Sequence, residues 1–188
     1  MVTGFMLDKL FRPGPLKQAA FATLDAVNAA AREPALFGEG RIADTFEGRF
    51  EAVTLFATLV LDRLAGQGRD ADALGQETFN QLFKMFDTAL REVGVGDLSV
   101  GKRIRRMAEA FYGRVAAYRE AFGAEGDAVL ADAIARNVLS LQPADPDFAA
   151  ALTTHVRTCR NALIAQELSE LLAGNPRLPA FQPAISTR

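Results

Sequence analysis

Apolar residues recur every three or four positions along most of this chain, the period of an α-helix with one buried face. The first such stripe begins at Pro15, a residue suited to the opening helical turn. It runs through Leu16, Ala20, Leu24 and Val27 to about Arg32, and Pro34 ends it. After a loop with Gly38 and Gly40, Asp44 or Thr45 caps a second helix, with Glu47 three residues after Asp44 as in a capping box. Phe46, Phe50, Val53, Phe56, Val60 and Leu64 mark its face, and Leu55, Leu59 and Leu61 widen the stripe, which predicts a helix central to the core. A third helix carries Phe79, Leu82, Phe83, Phe86, Leu90 and Val93. The connector Gly94 to Leu98 follows, and Ser99 is the expected N-cap of a fourth helix. Its face reads Val100, Ile104, Met107, Phe111, Val115, Tyr118 and Phe122.

Gly123 to Gly126 closes that stripe, and Asp127 is placed to cap a fifth helix reaching about Leu139. Asp145 and Pro146 open one last long helix, lined by Phe148, Leu152, Val156, Cys159, Leu163 and Leu168, with Gly174 as its stop. Three prolines in the tail from Asn175 to Arg188 predict an extended strap or a disordered end. The expected fold is therefore all-α: a single compact bundle of about six helices, mostly antiparallel neighbours because the connectors are short. It spans residues 15–174, between an N-terminal segment 1–14 and the tail 175–188.

Composition narrows the function. The apolar share is 49% and the charged share 23%, with a net charge of −2, so no general attraction to nucleic acid or anionic lipid follows. The apolar run Val53 to Leu61 is far short of the roughly 18 residues a membrane span needs. The N-terminus lacks a signal peptide's apolar run, and the single cysteine fits a reducing compartment, so a cytoplasmic location is expected.

Chemistry is sparse. His155 and Cys159 lie one helical turn apart, but two ligands do not make a zinc site and no third group orients a nucleophile. The pair reads as core packing. Glu47, Glu51, Glu92 and Asp97 read as capping and solvated carboxylates. The Gly94–Gly96 motif follows no strand, so it is not a phosphate cradle. No catalytic residue, cofactor or metal is expected.

Two features point to binding. Lys102, Arg103, Arg105 and Arg106 place four cations in five positions early in the fourth helix, and Arg114 and Arg119 continue the basic character. Glu109 is spaced to pair with Arg105. Cations near a helix N-terminus oppose its dipole, so such a cluster reads either as a solvated face or as a docking patch for phosphate, anionic lipid or an acidic partner. The second feature is 14 phenylalanines beside two tyrosines and no tryptophan. They read as core, or as an apolar groove for a hydrophobic client. Phe5, Leu7, Leu10 and Phe11, beside Lys9 and Arg12, form a short amphipathic pattern that could touch a membrane surface.

The stretch from Leu90 to Arg114, reading Leu-Arg-Glu-Val-Gly-Val-Gly-Asp-Leu-Ser-Val-Gly-Lys-Arg-Ile-Arg-Arg-Met-Ala-Glu-Ala-Phe-Tyr-Gly-Arg, resembles the signature of the ubiquinol–cytochrome c chaperone family. Asp44 to Glu51 (Asp-Thr-Phe-Glu-Gly-Arg-Phe-Glu) resembles a second block and Arg136 to Leu139 a third, and the likeness spans about residues 15–175. Members often carry proline where this chain has Ala43 or Gly101. The resemblance implies a bacterial assembly factor that binds newly made cytochrome b and promotes biogenesis of the reductase. As implied partners it brings the ribosome, a small partner protein and peripheral contact with the cytoplasmic face of the inner membrane. Arg49, Lys102, Arg103, Arg105, Arg106, Tyr112 and Arg114 are then the candidate client-binding residues, with Phe111 in the core and Tyr112 exposed beside it. The alternative reading is a helical lipid- or small-molecule-binding domain with an apolar pocket.

Overall fold

The computed structural model describes residues 13–182, so the amphipathic pattern at Phe5 to Phe11 lies outside the described residues. Seven α-helices and one 3-10 turn make up the described chain, and no named strand occurs among these residues. They are α1 (Pro15–Ala31), the 3-10 turn (Pro34–Leu36), α2 (Phe46–Leu64), α3 (Arg69–Glu92), α4 (Asp97–Gly123), α5 (Ala128–Asn137), α6 (Pro146–Ala165) and α7 (Leu168–Leu172).

α2 is the hub. Every residue from Phe50 to Val60 is buried, because α1, α3, α4 and α6 all pack against it. An all-round apolar helix of this kind can only be stable inside a core. The stretch Val53 to Leu61 lies at its centre, and no helix among the described residues is long and apolar enough to cross a membrane. Around the hub, α1 packs on α3, α3 on α4, α4 on α5 and α5 on α6.

The helix starts show which sequence signals act. Thr45, not Asp44, caps α2: its hydroxyl accepts from the Gly48 amide at 3.1 Å. Asp44 is left to pair with Arg49. Gly48 has a packing reason, since a Cβ there would meet the Ala43 carbonyl oxygen at 2.0 Å. Asp145 caps α6 through the Asp147 amide, with Pro146 at the first position as expected. Two expected caps are corrected. α4 begins at Asp97, two residues before Ser99, with Gly96 in the cap position. Asp97 puts a carboxylate in the first turn and pairs with Arg91, which lets the helix start early. Asp127 precedes α5 but makes no cap hydrogen bond, because its carboxylate is taken by Arg157 at 2.8 Å.

The last long helix is two helices. Arg63 of α2 reaches across and donates to the carbonyls of Leu163 (2.9 Å) and Gln166 (3.1 Å), satisfying groups that a continuing helix would have used. The freed Gln166 side chain then grips the tail, donating to Asn175 O at 2.6 Å and accepting from the Arg177 amide at 2.9 Å. Gly174, at φ +84°, turns the chain against α1, where a Cβ would stand 2.6 Å from Ala19 O. From there the tail is a strap as far as it is described. Phe181 is buried edge-on to Phe148 and His155, and its amide donates to Glu33 at 2.6 Å.

Candidate functional site

α2 and α4 are not consecutive, yet they touch, and three ion pairs give their register: Glu47 with Arg103, Glu51 with Arg114, and Asp62 with Arg119. Residue numbers rise together on both helices, so α2 and α4 run in the same direction. The spacing is unequal. Glu47 and Glu51 are one turn apart, roughly 6 Å, whereas Arg103 and Arg114 span roughly 16 Å of axis at 1.5 Å per residue. Arg106, Met107 and Ala110 of α4 lie between these arginines and line a shared cleft with Phe46 and Phe50 of α2.

The cleft is a groove of about 700 Å³. Phe46, Phe50, Val95, Met107 and Ala110 give it an apolar lining, and Lys102, Arg103 and Arg106 line its α4 wall. The arginines also stack on the floor: Arg103 lies 5.7 Å from the Phe46 ring centre and Arg114 5.7 Å from that of Phe50. Leu98 stands at the rim with its side chain fully in solvent.

The candidate residues divide sharply. Lys102, Arg103 and Arg106 meet in the groove. Arg105 is exposed on the outer face of α4 and, among the described residues, has no ion pair, so the pairing expected with Glu109 is not made. Arg114 lines the groove floor and is half-buried there. Its guanidinium holds both carboxylate oxygens of Glu51 and also donates to Ala110 O at 3.1 Å. Arg49 pairs with Asp44, lies 4.8 Å from the Phe37 ring centre and does not line the groove. Tyr112 is 58% exposed, and Phe111 beside it is buried, as the pattern predicted. Tyr112 packs on Phe79 at 5.4 Å, continuing an aromatic cluster through Phe83 and Phe86 to Phe50.

Glu51 is the residue that the sequence reading misplaced. It is buried, not solvated, and burial pushes its carboxyl above the usual carboxylate value, opposed by Arg114's hydrogen bonds and charge. The signal was present in its neighbours, since α2 is apolar on all sides there. Only the fold could supply its partner, 63 positions along the chain.

His155 and Cys159 do touch, with Nε2 3.4 Å from Sγ, but both side chains are buried under the strap. Burial lowers the histidine's basicity and pushes the thiol up to about 12. A thiol so raised is the reverse of an activated nucleophile. No group of His, Cys, Asp and Glu able to hold a metal occurs among the described residues. A separate apolar recess between α1, α2 and α3, walled by Phe46, Phe50 and Phe86, measures about 210 Å³. Ligand pockets usually measure about 300–1,000 Å³, so this one suits a single side chain better than a lipid or drug-sized molecule.

The described residues thus form a helical bundle with an apolar groove walled by cations. The comparisons make the class particular. The sequence profile described as "Ubiquinol-cytochrome C chaperone" matches residues 39–180, and the chain belongs to that family. Among solved structures it is similar to the Cbp3 homolog from Brucella abortus, at 31% identity and a TM-score of 0.80, covering 96% of this chain and 98% of that one. No curated protein sequence matches.

Proposed function

We propose that this protein binds newly made cytochrome b and promotes assembly of ubiquinol–cytochrome c reductase, acting by protection and delivery and not by bond-making. Family membership supports the assembly role. The observation that carries the finer reading is the α2–α4 groove, because the block from Leu90 to Arg114 that marks the family supplies its cationic wall and part of its floor. An apolar trough flanked by cations suits a helix that is apolar on one side and acidic at its edge. A segment of a membrane protein not yet inserted has such an apolar face to hide. The interaction is expected at the cytoplasmic face of the inner membrane, with a ribosome or a small partner protein recruited alongside.

Deletion of the gene tests the role. Mature cytochrome b and reductase activity should fall while the cytochrome b message stays at its normal level. Unchanged reductase in the deletion strain would refute the assignment.

A further inference from the structure

Leu98 and Val93 are the most exposed large apolar side chains among the described residues, at 101% and 68%; Val93 caps the end of α3 and Leu98 is the second residue of α4, so they flank the connecting turn. Leu98 also stands at the groove rim, and Val93 lines no groove. Behind them, Lys102 and Arg105 follow Leu98 by four and seven positions, so all three share one face of α4. Lys102, Arg105 and Arg106 have no ion pair among the described residues. Nearby anions are partly spoken for: Arg91 holds Asp87 and Asp97, and Arg103 faces Glu47 at 3.5 Å, while Glu92 and Glu109 stay exposed.

From this arrangement we infer that the α3–α4 turn and the first turns of α4 dock on an anionic phospholipid bilayer. Val93 and Leu98 enter the headgroup boundary, and Lys102, Arg105 and Arg106 meet lipid phosphates behind them. Neither signal is strong alone, but an aliphatic wedge together with a basic patch gives reversible interfacial binding. The surface adjoins the groove, since Leu98 and Lys102 border both. Docking would therefore turn the groove's mouth to the membrane, and in that respect the inference rests on the proposed function.

The test is co-sedimentation of the full chain with vesicles of phosphatidylglycerol and phosphatidylcholine, against vesicles of phosphatidylcholine alone. Binding should require the anionic lipid and weaken with added salt. The double variant Val93→Asp/Arg105→Glu changes no residue that lines the groove. Each unit of charge is worth roughly fivefold in binding, so the Arg105 reversal alone should weaken it roughly 25-fold. The thermal melt and capture of a client in the groove should be unchanged. Absence of binding to anionic vesicles, equal binding to neutral ones, or full binding by the double variant would each overturn the lipid surface. If vesicle binding behaves as stated but the groove captures no client, it is the proposed function that fails and not this surface.

Discussion

Arg114 on α4 holds both carboxylate oxygens of Glu51 on α2, and the pair lies at the floor of the groove with Glu51 buried. Two charges taken from water attract strongly but repay their desolvation only when fully partnered. The pair therefore secures the register of α2 on α4 more than it adds stability. Removing one partner strands the other. Arg114→Met should cost about 3 kcal/mol in urea unfolding, and the double variant Glu51→Gln/Arg114→Met should recover most of that loss. Equal stabilities for the single and double variants would show that the pair is not coupled.

The same carboxyl sets a pH dependence. Its folded-state value is raised above 4.5, so the folded protein holds that proton more tightly than the unfolded chain does. Its contribution to stability is present below 4.5 and is lost as pH rises through the raised value. Wild type should therefore gain stability relative to Glu51→Gln when the comparison moves from pH 7 to pH 4.

Two glycines in helices should behave oppositely. At Gly48 a Cβ would overlap the Ala43 carbonyl oxygen, which is backbone and cannot swing away. At Gly101 in α4 nothing stands within 4 Å of the same position. Gly48→Ala should lower stability by about 3 kcal/mol or more, as other severe overpacking does. Gly101→Ala should raise it by up to about 1 kcal/mol through helix propensity. Paired thermal melts would check both.

His155 adds a second pH term, of the other sign. Burial lowers its folded-state value below 6.5, so its contribution is complete above 6.5 and is lost as pH falls through the depressed value. Wild type should lose stability between pH 7 and pH 5, and His155→Gln should flatten that slope. An unchanged slope in the variant would place the titration elsewhere.

The strap shields Cys159, whose sulfur lies 3.9 Å from Pro179 O and has no exposed surface. Phe181→Ala removes the ring that pins the strap against Phe148 and His155. Because the strap is terminal, the loss should appear first as local opening. Labelling of Cys159 by a maleimide should accelerate at least tenfold in conditions where the global melt has barely moved. Equal labelling rates would mean that the helices, and not the strap, protect the thiol.

Much of this fold was legible because helical stripes are local: Phe46 to Leu64 and Val100 to Phe122 can be read without knowing what they face. What failed was decided at a distance. The break at Gln166 depends on Arg63, about a hundred positions earlier in the chain. Glu51 looked solvated because its partner is on another helix. Asp127 looked like a cap because Arg157 was out of view. The site was half legible. Lys102, Arg103 and Arg106 stood out as a cluster, but the groove also needs Phe46 and Phe50 of α2 to face them, and no stripe reveals which helices face each other.

The central claim is that the α2–α4 groove holds the client, and photo-crosslinking in living cells tests it most directly. A photoreactive residue placed at Met107, on the groove floor, should capture cytochrome b, and Lys102→Glu/Arg106→Glu should abolish the capture without shifting the thermal melt. The same probe at Ile164, exposed on α6 and outside the groove, should capture none. Capture from Ile164 but not from Met107, or capture that survives the charge reversal, would contradict the account.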